Sequence, residues 1–156
     1  EALPLIYESI KLAKELGEKD LTAKYINLGF INAKQGNIDL ADQNYNKALE
    51  IALELNDKSR IAEIYGFQAG LCWDKYELEQ GLELYQKQEA LCRELDLKYH
   101  LITSLYHQSR YYAKVAHDYH KASEQVNEAL SLSIQHGYNN LIEVLQKFRN
   151  EIELNI

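Results

Sequence analysis

The sequence has little of what interrupts a helix or builds a sheet. It contains one proline, Pro4, seven scattered glycines in 156 residues, and no run of alternating β-branched residues. Leucine, alanine, glutamate, lysine, glutamine and tyrosine are plentiful instead. Because most of these are good helix formers, the composition favours helix nearly throughout, and an all-α fold is expected. The length suits one domain that buries roughly two-thirds of its unfolded surface.

Further absences exclude several kinds of partner. The formal net charge is -7, and acidic and basic residues are interspersed. Because phosphate contacts need a basic stripe, we expect no nucleic-acid partner. No apolar run approaches the ~20 residues that span a bilayer, and no signal-peptide pattern opens the chain, so no membrane partner is expected. Cys72 and Cys92 are too few for a disulfide framework, which indicates reduced core thiols in a cytoplasmic protein.

The residues of catalysis and cofactor binding are also sparse. No Gly-Lys-Ser or Gly-Lys-Thr phosphate loop occurs. His117 and His120 are three residues apart, but they straddle a predicted turn, which favours exposed turn residues over a metal site. His107 and Arg110 could take part in acid–base chemistry, yet no buried carboxylate partner can be named for them. We therefore expect no catalytic residue, no metal site, no cofactor and no enzymatic activity.

What the chain does contain is a repeat with a period of about 40 residues. A shift of 40 places Ala41 on Gly81 and keeps one phase across 30 residues. A shift of 81 places Ala41 on Ala122, so one extra residue must enter the third unit within 115–118. A backward shift of 39 matches only the second half of a unit, and we expect the chain to start inside a unit of a longer protein. A fixed period of tens of residues is typical of a solenoid.

Predicted helix ends follow the same phase. Gly17, Asn56, Asp96 and Gly137 each follow the last apolar residue of a second helix. Such residues tolerate the left-handed conformation that ends many helices. The pattern predicts about eight helices, over residues 2–16, 19–35, 38–55, 58–74, 78–95, 98–115, 119–136 and 139–154. The last of these would cover the exposed face of the third unit.

Small residues recur where the two helices of one pair must touch. Antiparallel helices pack about 8–10 Å apart, depending on the side chains at the contact. Gly29 opposite Ala41 would allow a close approach, and Ala69 opposite Gly81 would do the same one repeat later. The tyrosine of each unit, Tyr45 in the first, would then fill the gap towards the next unit.

These features resemble the tetratricopeptide repeat (TPR) family. The resemblance is carried by Leu28-Gly29, Gln35-Gly36, Ala41, Tyr45 and Ala48-Leu49, although that repeat usually has about 34 residues. The longer unit, and residues 84–95 above all, look like repeats in the sensor regions of bacterial STAND-type NTPases and other signalling regulators. The resemblance implies a right-handed α–α superhelix of antiparallel helix pairs. The single domain, 1–156, would comprise the second helix of a truncated repeat (1–17), three repeats (18–57, 58–97 and 98–137) and a C-terminal capping helix (138–156).

The second and third units depart from the signature. Gln68-Ala69 and Gln108-Ser109 stand where the first unit has its leucine–glycine pair, and Tyr76 stands where it has the turn glycine. These departures question the local turn geometry and leave the expected architecture unchanged.

The resemblance also implies where a ligand would bind. In this family the first helix of each pair lines a concave groove, in which aromatic anchors supply contact area and polar groups fix orientation. Ile26 and Gly70 would lie on this side, and the candidate binding residues are Asn27, Phe30, Lys34, Phe67, Trp73, Asp74, Tyr106, His107, Arg110 and Lys114. For Phe67, Trp73 and Tyr106, packing within the fold is about as good an explanation. Repeats that hold chaperone tails need a cation and an asparagine where this chain has Ile26 and Phe30, so that function is not expected.

The sequence therefore predicts a non-catalytic scaffold that binds a peptide or protein segment in its concave groove. Such a scaffold would be the sensor or docking region of a larger signalling or regulatory protein. The alternative is self-association, because the end helices would expose apolar side chains such as Leu5, Leu12, Ile152 and Leu154.

Overall fold

The computed structural model describes residues 21–155 together with Pro4, Glu8 and Lys11. All regular structure in these residues is helical, which confirms the all-α prediction. The seven helices are α1 (Thr22–Lys34), α2 (Ile38–Glu54), α3 (Lys58–Asp74), α4 (Leu78–Glu94), α5 (Lys98–Lys114), α6 (Tyr119–Gln135) and α7 (Asn139–Glu153). Each begins and ends within three residues of its predicted bounds. The helix predicted over 2–16 lies outside the described residues apart from the three isolated ones.

The helices pack in consecutive pairs. The closest packing joins α1 to α2, α3 to α4 and α5 to α6, and α7 lies against α6. The first helices of successive pairs, α1, α3 and α5, also contact one another. The buried apolar side chains form two clusters, one mainly on α1–α3 and the other mainly on α5–α7. Buried polar side chains on α4 and α5 include Gln88, Ser104 and Gln108.

Most of the turns share one geometry. Five connections have three residues, and the middle residue has a positive φ, between 52 and 77°, at Gly36, Asn56, Tyr76, Asp96 and Gly137. The next residue then donates its N–H to a carbonyl in the last turn of the preceding helix, as Asp57 does to Ala52 at 2.9 Å. This is the Schellman arrangement. The predicted ends at Asn56, Asp96 and Gly137 are confirmed, Tyr76 adopts the glycine conformation in spite of its side chain, and Gly17 lies outside the described residues.

One connection is longer, as the repeat phase predicted. Residues 115–118 join α5 to α6, and the positive φ of 54° falls on His117. The N–H of Asp118 donates to the Tyr112 carbonyl at 2.8 Å, and the Asp118 carboxylate accepts from the Lys121 N–H at 3.0 Å. The turn therefore accommodates the extra residue, and α6 begins at Tyr119, where the repeat predicted.

The two helices of a pair approach each other closely where small residues meet. A Cβ atom on Gly29 would lie 2.5 Å from the Tyr45 ring, and one on Gly81 would lie 3.1 Å from Cys72 Cβ. In the third pair the Ser109 hydroxyl donates to the Ala122 carbonyl at 2.6 Å. Each pair thus solves the same contact with a different combination of small residues.

Candidate functional site

A cleft of about 490 Å³ opens between the first helices α1, α3 and α5. Side chains of the second helices α2 and α4 form its floor. Its lining residues are Phe30, Ala33, Lys34, Tyr45, Glu63, Gly66, Phe67, Gly70, Leu71, Asp74, Tyr85, Gln88, Tyr99, His100, Thr103 and His107. Five of the predicted binding residues are therefore brought together here: Phe30, Lys34, Phe67, Asp74 and His107.

Aromatic rings form the wall of the cleft next to α1. Phe67 stacks on the buried Tyr45, with ring centroids 5.3 Å apart and an interplanar angle of 9°. Phe30 meets Phe67 edge to face at 6.1 Å and remains 45% exposed. The Lys34 ammonium lies 5.4 Å from the Phe30 ring centroid. Phe67 thus packs against the neighbouring pair and lines the cleft at once.

A neutral histidine forms the wall next to α5. His107 stacks on Tyr85 with ring centroids 4.8 Å apart and an interplanar angle of 5°. Arg110 Nη1 lies 3.3 Å from His107 Nδ1, and because a guanidinium can only donate, Nδ1 accepts and the ring hydrogen is on Nε2. Burial, and then the charge of Arg110, lowers the pKa of His107 to about 4. Burial also raises the pKa of the Tyr85 hydroxyl, so this wall is uncharged at neutral pH.

Four of the remaining predicted residues, Trp73, Tyr106, Arg110 and Lys114, cluster outside the cleft lining. The Arg110 guanidinium lies 4.9 Å from the Trp73 ring and 5.9 Å from the Tyr106 ring. Tyr106 in turn meets Phe148 of α7 edge to face at 5.6 Å, and the Lys114 ammonium lies 5.9 Å from the Phe148 ring. Trp73, Tyr106 and Arg110 are half-buried by these contacts. Cation–π and aromatic contacts of this kind join α3, α5 and α7.

Two residues that were expected on the groove side lie elsewhere. Asn27 is exposed on α1 and lines neither the cleft nor the cluster around Arg110. Ile26, expected on the groove side, is only 4% exposed and belongs to the apolar core of the first pair. The reason is the helical turn of about 100° per residue, which points adjacent positions in different directions.

The floor of the cleft was not predicted from the sequence. Gln88 is 3% exposed, and its Oε1 has no hydrogen-bond partner. A Cβ atom on Gly66 would lie 2.3 Å from Gln88 Nε2, so the glycine leaves room for this amide. The available signal was the repeat itself, in which the Gln88 position is alanine in the other two units, at Ala48 and Ala129.

The other candidate reactive groups are the two cysteines and the histidines at and beside the long turn. Cys72 and Cys92 are free and buried, and burial raises the pKa of the Cys92 thiol to about 11. Both sulfurs are thus protonated and inaccessible at neutral pH. His117 in the long turn and His120 in the first turn of α6 are both exposed. Within the described part of the chain, no group of three or more histidine, cysteine, aspartate or glutamate residues could hold a metal ion. No described helix combines the length and the apolar character needed to cross a bilayer.

Comparison with known proteins gives information on the fold alone. No family model matches the chain, and no curated protein matches it. Among solved structures, the chain is similar to the crystal structure of BtubC (BKLC) from P. vanneervenii, with a TM-score of 0.69 and 20% sequence identity. The match covers 97% of this chain and 70% of that one. At this identity the similarity shows an all-helical, helical-repeat-like fold.

Proposed function

We propose that this chain is a non-catalytic cytoplasmic scaffold of the TPR type, which binds a peptide or protein segment in the cleft between α1, α3 and α5. It would serve as the sensor or docking region of a larger signalling or regulatory protein, without a cofactor and without nucleic acid. The observation that carries the proposal is an open cleft with aromatic walls on the side formed by the first helices.

The charges around the cleft suit a peptide better than a uniformly charged ligand. Lys34 and Asp74 are the last residues of α1 and α3, and they line one end of the cleft. Glu63 and His100 line the other end, where α3 and α5 begin. An apolar middle between mixed charges matches a segment whose apolar anchor is flanked by polar residues, which is the usual anatomy of a protein interface.

The details of the helix pairs support the TPR assignment. Gly29 lies under the Tyr45 ring, and Ala41 and Ala48 are fully buried, as the signature requires. The conserved geometry of successive turns supports a regular rotation from one pair to the next, which would generate the right-handed superhelix.

A peptide selection tests this function. Peptides from a random library displayed on phage are selected on the wild-type chain, and their dissociation constants are measured by calorimetry. A double Phe30→Ala, Lys34→Ala variant should weaken binding about tenfold or more, because both exposed side chains line the cleft. A matched Leu40→Ala, Leu53→Ala variant removes exposed apolar side chains from α2 and should bind as wild type does. Equal affinities for the two double variants would overturn the proposal.

Self-association is the second candidate, favoured by the apolar exposure of α7. Val144 and Leu154 are 46% and 88% exposed. Ile152, expected to be exposed as well, is 2% exposed and packs in the core, whereas Leu5 and Leu12 lie outside the described residues. Light scattering over a concentration series tests this candidate. A rise in mass that Val144→Ser and Leu154→Ser abolish would support it, and a monomer throughout would eliminate it.

A further inference from the structure

We propose that the cleft has a defined subsite above Gly66, Gly70 and Gln88, which takes one aromatic side chain of an extended peptide. Gln88 Oε1 accepts a hydrogen bond from a backbone N–H of that peptide. This inference rests on the proposed function and names the chemistry of its ligand.

Missing side chains in the second unit shape the subsite, because Gly66 leaves room for the Gln88 amide and Gly70 leaves open space. The repeat aligns Gly66 with Ile26 and Tyr106, and it aligns Gly70 with Phe30 and Arg110. Both positions thus carry large side chains in the first and third units and none in the second. A Cβ atom on Gly70 would meet no atom within 4 Å, so packing within the fold does not require glycine there. Glycine inside a helix is destabilising relative to alanine, and a reason outside the fold is therefore needed.

The floor supplies an acceptor without a donor. Gln88 Oε1 is buried and unpaired, although burying an amide oxygen without a hydrogen bond is unfavourable. Neighbouring buried polar groups are paired: Ser104 donates to the Tyr85 carbonyl at 2.7 Å, and Gln108 donates to the Glu89 carboxylate at 2.6 Å. Gln88 lines the cleft, so a ligand that reaches the floor and turns this buried amide outward can supply the missing donor. The acceptor therefore requires an N–H or O–H donor on the ligand.

The dimensions favour a peptide over a compact small molecule. The cleft follows α3 from Glu63 to Asp74, which is about 16 Å at the helical rise of 1.5 Å per residue. An extended chain covers that length with about five residues. Its backbone offers N–H groups along the way, and the Phe30 and Phe67 rings present the edges and faces that an aromatic side chain contacts well.

The probe is N-acetyl-phenylalanine amide, titrated into the ¹⁵N-labelled 156-residue chain and followed by NMR. A dissociation constant in the millimolar range is expected for so small a ligand, with shifts centred on the Gly66 and Gly70 amides and the Gln88 side-chain amide. N-acetyl-alanine amide is the matched ligand control, and it should bind about tenfold more weakly because it lacks the ring. Equal binding of the two probes, or shifts centred elsewhere, would overturn the aromatic subsite.

Two protein variants, with Gly70→Ala as a control, test the ring contact and the hydrogen bond separately. Gly70→Leu places a side chain in the open space and should abolish probe binding, whereas Gly70→Ala should retain most of it. Gln88→Leu keeps the volume and removes the acceptor, so it should weaken binding about three- to tenfold while the ring shifts remain. If Gly70→Leu does not fold, Gln88→Leu still decides whether the amide takes part. Unchanged binding by either folded variant would contradict the subsite.

The failure of this inference is distinguishable from that of the proposed function. If phage-selected peptides bind the wild type and depend on Phe30 and Lys34, but Gly70→Leu leaves their affinity unchanged, the subsite is wrong and the scaffold function stands. Adenosine serves as a probe of another chemical class. If it binds at the same amides more tightly than N-acetyl-phenylalanine amide, the assignment to an aromatic peptide residue is wrong.

Discussion

The junction between the first and second helix pairs and the junction between the second and third pairs repeat one ring contact with different chemistry. In the first, the Phe67 ring lies flat on Tyr45, and in the second the His107 ring lies flat on Tyr85. The repeat places Phe67 and His107 at the same position. Only His107 carries a hydrogen bond, which it accepts from Arg110. Both junctions thus keep a planar ring on a buried tyrosine, whereas the polarity of that ring differs between them.

The buried side chains around the two junctions also differ in polarity. The first junction continues an apolar cluster, whereas the second contains buried Gln88, Ser104 and Gln108. Because buried polar groups need specific partners, the second junction has a more restricted geometry than the first.

The largest effect is expected from removing the shared tyrosine at each junction. Tyr45 and Tyr85 are 1% and 3% exposed, so Tyr45→Ala and Tyr85→Ala should each lower the free energy of unfolding by about 3–5 kcal/mol. Urea denaturation of the two variants measures this directly. If either substitution cost less than about 1 kcal/mol, the two junctions would not be equivalent.

The next largest effect is the pH dependence that the second junction gives to the stability of the fold. Because the pKa of His107 is lowered to about 4 in the folded state, the unfolded chain takes up this proton first as the pH falls. The stability that depends on neutral His107 is complete above about pH 6.5 and decreases towards pH 4, by roughly 2–3 kcal/mol. His107→Phe, which copies the first junction, should remove this part of the pH dependence.

Urea denaturation at pH 7 and at pH 4.5 compares His107→Phe with wild type. His120→Gln, which changes an exposed histidine in the first turn of α6, is the matched control and should leave the difference between the two pH values unchanged. A His107→Phe variant with the full wild-type pH dependence would show that His107 is not responsible.

Two glycines of the first helices should respond to alanine with opposite signs. At Gly29 the new Cβ would lie 2.5 Å from the tightly packed Tyr45 ring, so Gly29→Ala should destabilise the fold by about 1–2 kcal/mol. At Gly70 the new Cβ meets nothing, so Gly70→Ala should stabilise it by about 0.5–1 kcal/mol. Thermal unfolding of both variants is the measurement, and shifts of the same sign would refute the proposed difference in packing.

The smallest effect concerns the turns. Gly36 and Tyr76 occupy the same repeat position with positive φ, and Tyr76 is 87% exposed. Tyr76→Gly should therefore raise the free energy of unfolding by up to about 1 kcal/mol, because a left-handed conformation strains a residue that has a Cβ atom. Gly36→Ala should lower it by a similar amount. Thermal midpoints that move in the reverse directions would contradict this explanation.

Much of the fold was predictable because its signals are local. Asn56, Asp96 and Gly137 mark helix ends through their tolerance of positive φ, and the extra residue in 115–118 appears as a change in repeat phase. The candidate site was predictable only in part. Phe30 and His107 were found from their repeat position, whereas Gln88 was missed because it belongs to a second helix, which was expected to face outward.

By itself the sequence determined the described helices, their pairing and the close contact at Gly29, since these depend on caps, turns and spacing within one unit. Only the tertiary structure decided that Ile26 lies in the core, that Arg110 covers Trp73, and that a cleft opens above Gly66 and Gly70. The physical reason is that these features depend on the rotation of one helix pair against the next. Contacts between pairs, such as Phe67 on Tyr45, set that rotation, and no signal within one unit encodes it.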